Sequence, residues 1–305
     1  MVKYKKGIGE KTFDALNVVF MFLLMATILA PFVYMFAVSI SDYREVGLMN
    51  VWLVPKGIQW NSYKTVFTDP KLLTAARNSV VYTVVGTVMS LLIQGLCAYT
   101  LSRPNFKYRR FFTLLMLMTM YFNGGMIPGY LNMKSLHLLD TMWSIILPGT
   151  FAMYNIVLMR TSFSAIPGSL IESAYIDGAN DWYIFFRIIV PLSKAIIATI
   201  AVFAGVQYWN AYFNALLYIT SEHKEPLTIL LRRVLISGEA TDAAVSAASM
   251  AAGENSFETD PVLENGAKSS IKMATVFVTV VPILVIYPFA QKYFVKGVMV
   301  GSVKG

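Results

Sequence analysis

Residues 166–191 read IPGSLIESAYIDGANDWYIFFRIIVP, and they interrupt a chain whose neighbouring segments are long apolar runs. Pro167 and Gly168 prevent the apolar segment before them from continuing as one helix. Ser169 and Glu172 have the spacing of a capping box, in which each side chain satisfies a free backbone amide of the other residue. This spacing predicts that a short helix begins here.

The end of this short helix is also readable from residue types. Gly178 suits a left-handed residue that closes a helix, and Asn180 or Asp181 can cap the helix that follows. A helix of about two turns is not stable alone in water, so it has to pack on the rest of the chain or on a partner. Its apolar side comes from residues four apart, namely Leu170 with Ala174 and Ile171 with Tyr175.

The composition indicates a membrane protein. Of 305 residues, 56% are apolar and 14% are charged, and the mean hydropathy is +0.59, whereas soluble domains are about half apolar and about a quarter charged. The lone Cys97 excludes a disulfide framework and a paired-thiol metal site. His137 and His223 lie far apart, so the spacing predicts no metal site.

Six segments are long and apolar enough to cross the hydrocarbon as helices, which takes about 20 residues each. The predicted fold class is therefore all-α, a polytopic membrane protein with six transmembrane helices in a single transmembrane domain, 1–305. The predicted spans are 16–40, 79–101, 111–131, 142–159, 188–219 and 271–291.

The distribution of charge predicts the orientation. With both termini in the cytoplasm, the inner segments hold thirteen Lys and Arg against five Asp and Glu, and the outer segments hold ten against twelve. Cations collect on the cytoplasmic side of bacterial membrane proteins. The net charge of +8 is explained in this way without nucleic acid as a partner. The polar loop 166–187 is then cytoplasmic.

The last outer loop, 220–270, has a different composition from the others. Its stretch 237–264 is rich in Ala, Ser, Gly and acids, so it buries little apolar surface and is either flexible or ordered by a partner. Residues 242–252 are expected to be partly helical.

Two absences from the sequence narrow the function. No predicted span carries an acidic residue in its interior, which weakens an ion-coupled carrier mechanism. No G-x-x-x-x-G-K-[ST] phosphate loop occurs, so an ATP-driven process would need a nucleotide site on another subunit.

At this point the sequence resembles a known family. The segment 172–179 (ESAYIDGA), followed by Ile188 and by Pro191, is similar to the EAA loop of ATP-binding-cassette (ABC) importer permeases. Further similarities lie at 160–167 (RTSFSAIP), 208–210 (YWN), 287–297 (YPFAQKYFVKG) and the terminal 304–305. They indicate the carbohydrate-uptake (MalG-like) branch, similar to LplC/YtcP-type oligosaccharide permeases. Ser173 and Lys194 depart from the usual alanine and proline.

The resemblance implies a type I permease fold in the bacterial cytoplasmic (inner) membrane and a transport subunit without catalysis of its own. The implied partners are a homologous second permease, two ABC ATPase subunits that bind ATP and Mg, an extracytoplasmic solute-binding protein, an oligosaccharide and membrane lipid. This chain binds no cofactor itself. The implied ATPase-coupling residues are Glu172, Ser173, Ala174, Tyr175, Ile176, Asp177, Gly178 and Ala179.

Polar and aromatic residues in the apolar segments are candidates for a substrate path, because sugars are recognised by hydrogen bonds to hydroxyls and by aromatic faces. An equally good interpretation is hydrogen bonding between helices. The glycines at 124–125 are expected to break or kink their span. The candidates are Gln207, Tyr208, Trp209, Asn210, Tyr212 and Asn214 in the fifth span, and Tyr121 and Asn123 in the third.

Three alternatives remain open from the sequence. One is a secondary carrier that works without an ATPase, and another is an integral membrane enzyme, for which no cluster of catalytic groups is visible. The third is an ABC permease for amino acids, peptides or polyamines.

Overall fold

The structure is a computed structural model that describes residues 7–122, 124–236 and 260–302, and every described regular element is helical. The helices are α1 (Ile8–Ser39), α2 (Tyr43–Gly47), α3 (Asn61–Thr68), α4 (Pro70–Ser102), α5 (Arg109–Tyr121), α6 (Met126–Ser135), α7 (Met142–Ile146), α8 (Met153–Ser164), α9 (Gly168–Ile176), α10 (Asp181–Ile184), α11 (Val190–Leu192), α12 (Lys194–Trp209), α13 (Tyr212–Tyr218), α14 (Leu227–Ile236) and α15 (Pro261–Ser302).

The predicted all-α fold class is confirmed. Three described helices are long and apolar enough to cross a membrane, and the number reaches six if each of three bent pairs of helices forms one span. The chain divides into two compact units, residues 1–69 with 231–279, and residues 70–230 with 280–305.

In the first unit, α15 packs against the end of α1 and against α2. The Ser270 hydroxyl donates to the carbonyl of Val38 at 3.1 Å, and the rings of Phe36 and Phe277 lie 5.1 Å apart. A Cβ on Gly266 would collide with the backbone of Tyr43. Glycine at this position therefore lets α2 cross α15 in close contact. Most of α1 is exposed and apolar on all sides, as suits a helix that faces lipid or another subunit.

The second unit is organised around α4, which packs along α8 and α12. Its larger apolar cluster contains Leu101 of α4, Ile156 and Met159 of α8, and Ile200 of α12, all almost completely buried. This cluster lies at the end of α4 that leads to residues 103–108, and it positions the short helix α9 described below.

Three predicted spans are not single helices: the break in the third was expected at its glycines, and the breaks in the fourth and fifth were not predicted. The third, 111–131, divides into α5 and α6 around Gly125, whose φ is +89°. The fourth, 142–159, bends by 51° after a 3₁₀ turn at Leu147–Gly149. These breaks fall at glycine or at proline, which has no N–H for the helical ladder.

The fifth predicted span, 188–219, is also broken. Pro191 cannot donate to the carbonyl four residues before it, and the preceding turn widens into a π-helix at Phe185–Ile189. The helix then bends by 88° at Ser193. A second break follows at Ala211, where the Tyr212 amide donates to the carbonyl of Asn210 at 2.7 Å in an inverse γ-turn.

Several helices extend beyond the predicted spans, because hydropathy locates the apolar part of a helix and the backbone continues through polar residues. α1 begins at Ile8, α4 at Pro70 and α15 at Pro261. The predicted outer loop 220–270 is therefore not irregular throughout, since it contains α14 and the start of α15. The expected helix at 242–252 lies outside the described residues.

Candidate functional site

The short helix α9 begins two residues earlier than the capping box predicted, because that box requires Ser169 as the N-cap residue. Pro167 is its N-cap residue, with φ −55° and ψ 130°, and makes no side-chain capping bond. Ser169 is thus already inside the helix, and the predicted capping box with Glu172 does not form. The extended conformation of Pro167 leads directly into the first turn at Gly168, so the position that Ser169 would need is already taken.

The end of α9 is as predicted. Gly178 has φ +82°, the Ala179 amide donates to the carbonyl of Ala174 at 2.9 Å, and the Gly178 amide donates to that of Tyr175 at 3.0 Å. This pair of bonds is the Schellman motif. The Asn180 side chain then accepts from the Tyr183 amide at 2.8 Å and caps the next helix. The coupling loop is thus two helices joined by one closed turn.

One side of α9 faces this chain. Ile171 and Ala174 are buried in the apolar cluster around α4 and α8. Ala174 was expected to give room to a partner, and in this structure its small side chain lets α9 lie close to its own subunit. The burial explains how two turns of helix are stable.

The other side of α9 is open. Ile176 is 86% exposed and Tyr175 is about half exposed. The remaining residues expected to contact the ATPase are also exposed, except for the half-buried Ala179: Glu172, Ser173, Asp177 and Gly178. Ile176 is not alone, since Leu170 and Tyr175 on α9 and Trp182 and Tyr183 on α10 are also large exposed side chains. Several such side chains in one segment outside the predicted spans are typical of a protein–protein contact.

Tyr175 also makes contacts within this chain that the sequence did not predict. Its hydroxyl donates to Oδ1 of Asp181 at 2.7 Å, and the same oxygen accepts from the Tyr99 hydroxyl at 2.8 Å. These hydrogen bonds, that of Tyr175 first, hold the pKa of Asp181 below its usual value. The three residues belong to α4, α9 and α10, so no spacing along the chain could have identified them.

Three carboxamides of the predicted substrate path lie together. Gln207, Asn210 and Asn214 line one cavity of about 190 Å³, with Phe213 on its wall. Asn210 and Asn214 were expected on one face of a continuous helix. They meet instead because the turn at Ala211 redirects the chain between them. The cavity is smaller than the roughly 300–1,000 Å³ of most ligand pockets, so its volume is too small for a whole oligosaccharide.

Tyr208 lines this cavity and is itself a buried side chain, and Trp209 is buried without being among the residues that line the cavity. Tyr208 is 3% exposed, and its hydroxyl lies 3.0 Å from that of Ser90 and donates to the carbonyl of Ile146 at 3.0 Å. A Cβ on Gly86 would come within 2.7 Å of its ring. Of the two roles considered for Tyr208, contact with substrate or hydrogen bonding between helices, the structure favours hydrogen bonding between helices.

The other aromatic candidates lie elsewhere. Tyr212 is half buried and packs on the apolar cluster that contains Tyr82 and Ile145. Tyr121 is exposed at the end of α5, away from this cavity. Asn123 lies outside the described residues.

Asp140 makes contacts to a distant segment that the sequence interpretation missed. One oxygen accepts from the amides of Thr220 (3.1 Å) and Ser221 (2.9 Å), and the other accepts from Lys224 Nζ at 2.8 Å. Burial would raise the pKa of Asp140, but the hydrogen bonds from Lys224 and Ser221 outweigh it and hold the pKa well below its usual value. Its partners are 80 or more residues away along the chain, so no local signal could have found them.

Contacts between loops agree with the alternation of sides that the charges predict. Tyr175 and Arg103, both assigned to inner loops, are hydrogen bonded at 3.2 Å. Asp140 and Ser221, both assigned to outer loops, are hydrogen bonded at 2.6 Å.

Known proteins with similar sequences are membrane components of transport systems, in agreement with the helical fold described above. Residues 72–300 match the model of the family described as the binding-protein-dependent transport system inner membrane component. Over 296 residues the chain is 38% identical to the polygalacturonan/rhamnogalacturonan transport system permease protein YtcP of Bacillus subtilis (strain 168), covering 97% of this chain and 99% of that protein. It is 38% identical over 295 residues to LplC of the same organism, covering 97% and 96%.

A solved structure is similar as well. A chain of a bacterial ABC transporter involved in the import of the acidic polysaccharide alginate superposes with a TM-score of 0.84 at 32% identity, covering 96% of this chain and 100% of that chain. The resemblance to LplC/YtcP-type permeases is confirmed. This protein belongs to the family of inner membrane components of binding-protein-dependent transport systems.

Proposed function

We propose that this chain is a permease subunit of an ABC importer that moves an oligosaccharide across the bacterial cytoplasmic membrane. The observation that carries the proposal is α9, a short helix held to its own subunit by Ile171 and Ala174 while Ile176 is exposed. This arrangement suits a helix that docks on a cytoplasmic ATPase. Family membership supports the same function.

The proposed complex contains a second, homologous permease, two ATPase subunits and an extracytoplasmic solute-binding protein. The ATPase subunits bind ATP and Mg and perform the only chemistry, and this chain is a transport subunit rather than an enzyme. The description of the family as binding-protein-dependent supports the solute-binding partner. Both termini are cytoplasmic in this proposal, which the excess of cations in the inner loops supports.

The cycle follows from a two-state mechanism. Closure of the ATPase pair around ATP moves the docked α9, and this movement shifts the helices between inward-facing and outward-facing arrangements. The loaded binding protein biases the same equilibrium from the outer side. Glu172 and Asp177 are exposed and can orient α9 on the surface of the ATPase. Tyr175 and Ile176 are exposed as well and can fill a groove on that surface.

The cargo class is an oligosaccharide because the similar permease YtcP is named for polygalacturonan/rhamnogalacturonan and the similar structure for alginate. The cavity at Gln207, Asn210 and Asn214 supports it, since carboxamides both donate to and accept from hydroxyls. Among the residues that the structure describes, no charged side chain lines this cavity. If the cargo is acidic, its carboxylates are therefore recognised outside this cavity.

The test is the ATPase activity of the complete complex in liposomes, with its binding protein, against a panel of solutes. The panel contains acidic and neutral oligosaccharides, amino acids and peptides. We expect ATP hydrolysis and uptake to rise together with an oligosaccharide and not with the other solutes. Uptake by this chain without any ATPase would overturn the proposal in favour of a secondary carrier, and stimulation by a peptide alone would overturn the cargo.

A further inference from the structure

Four side chains join the end of α9 to the end of α4. Asp181 Oδ1 accepts from the hydroxyls of Tyr99 (2.8 Å) and Tyr175 (2.7 Å). Nη2 of Arg103 donates to both hydroxyls, at 2.7 Å to Tyr99 and 3.2 Å to Tyr175. The guanidinium carbon also lies 4.6 Å from the centre of the Tyr99 ring and 5.7 Å from that of Tyr175. These four residues are called the clamp below.

The strength of the clamp does not come from its ion pair. Arg103 and Asp181 approach to only 3.8 Å, and the Asp181 side chain is 66% exposed, so Coulomb attraction in water contributes little. The Arg103 side chain is only 16% exposed, however, and Tyr99 is buried. Hydrogen bonds to a charged carboxylate are about twice as strong as neutral ones. Two of them converge on one oxygen here.

The opposite end of α4 is held just as firmly. Asn78 donates to the carbonyls of His223 (2.8 Å) and Glu225 (3.1 Å). The Tyr82 hydroxyl donates to the carbonyl of Lys224 at 2.8 Å. The contacts of Asn78 and of Tyr99 are about 30 Å apart along the helix, at about 1.5 Å per residue. That distance is close to the thickness of the hydrocarbon layer, about 30 Å.

α4 is suited to transmit movement between these ends. It runs from Pro70 to Ser102 as one helix, with no proline beyond its first residue. The helices that pack beside it, α8 and α12, belong to bent pairs that break at 51° and 88°. If α9 moves, α4 can therefore carry the movement along one continuous helix, whereas α8 and α12 are each interrupted by a bend.

We propose that the clamp makes α4 a rigid strut, which carries the movement of the coupling helix to the outer segment around Glu222–Leu227. Tyr99, Arg103, Tyr175 and Asp181 are then positioning residues that link the ATPase cycle to the outer side of the permease. The inference rests on the proposed function. It assigns Tyr175 a role inside this chain as well as at the ATPase surface.

The test uses the complete complex in liposomes and measures solute uptake per ATP hydrolysed. We expect Asp181→Asn to lower this ratio at least fivefold while the amount of complex in the membrane is unchanged. Asp181→Glu, which keeps the carboxylate, should recover part of the loss. Tyr183→Phe is the matched control, because that hydroxyl has no hydrogen-bond partner in the part of the chain that the structure describes.

Tyr175→Phe provides a second variant if Asp181→Asn does not accumulate, because the ring beside Arg103 is retained and only one hydroxyl is lost. It should lower the ratio about threefold. Combined with Asp181→Asn it should add less than this, because both changes weaken the bond between Tyr175 and Asp181 and only the bond from Arg103 to Tyr175 is lost in addition. A wild-type complex that shows no ATP-driven uptake refutes the proposed function. A working wild type with an unchanged ratio in Asp181→Asn or in an accumulating Tyr175→Phe refutes the strut alone.

Discussion

The most informative substitution is Gly178→Asp in the turn that closes α9. Gly178 has φ +82°, and a residue with a side chain in this region costs about 1–2 kcal/mol, with aspartate among the better tolerated. A Cβ at Gly178 would meet nothing within 4 Å in this chain. The local cost is therefore limited to the turn, and we expect the protein to insert and fold.

The effect on transport should be much larger than this local cost. A side chain at Gly178 projects from the exposed face of the coupling loop and would separate α9 from a docked ATPase. We expect Gly178→Asp to keep ATP hydrolysis while uptake falls more than thirtyfold, which exceeds the 5- to 30-fold that about 1–2 kcal/mol in the turn could explain. The assay is uptake and hydrolysis in the same liposomes.

Two controls separate the causes. Gly178→Asn has nearly the same shape without the charge, so an equal loss identifies size rather than charge as the cause. Gly168→Asp places the same charge at the start of α9, where a Cβ also meets nothing within 4 Å and an acid is favourable near the helix N-terminus. It should retain uptake. Normal uptake by Gly178→Asp, at normal abundance in the membrane, would refute the assignment of α9 as the coupling helix.

Three further predictions concern the second unit. Asp140→Asn should lower the free energy of unfolding in detergent by about 1–2 kcal/mol, because it loses its charged bond to Lys224. The pKa of Asp140 in the folded protein lies below its usual value. The difference in free energy of unfolding between wild type and variant should therefore be complete above about pH 4 and shrink as the pH falls further. A difference that stays constant with pH would contradict this explanation. Gly86→Ala should destabilise by about 1–3 kcal/mol in thermal melts, because its Cβ would lie 2.7 Å from the Tyr208 ring; an unchanged melting temperature would show that this contact is loose. Asn214→Ala should raise the half-saturating solute concentration for uptake about fivefold by removing one hydrogen bond worth about 1 kcal/mol, and unchanged uptake would exclude the residue from the path.

Much of the coupling loop could be predicted because its interactions are local. The Schellman bonds at Gly178 and the cap at Asn180 join residues no more than five positions apart. Residue types alone predict such short-range geometry. The failed capping box at Ser169 shows the limit of this approach, since Pro167 is the N-cap residue and the helix begins two residues earlier than predicted.

The cavity lined by the three carboxamides was predicted only in part. Gln207, Asn210 and Asn214 were named from their types, and they do share a cavity. The break at Ala211 that brings them together was not predicted, because an inverse γ-turn at an alanine leaves no signature in the sequence. Tyr208 was ambiguous until the structure showed Ser90 and Ile146 as the partners of its hydroxyl.

The sequence by itself determined that the chain is helical and membrane-embedded, which side each loop occupies in the proposal, and where the coupling helix ends. Hydropathy, charge and turn chemistry depend on residues close together in the chain, so these features can be predicted from the sequence without coordinates. Only the tertiary structure decided that Ala174 faces its own subunit, that Asp140 binds Lys224, and that Asp181 joins α9 to α4. These contacts depend on packing between segments distant in the chain, and one sequence does not encode such pairing in any local pattern.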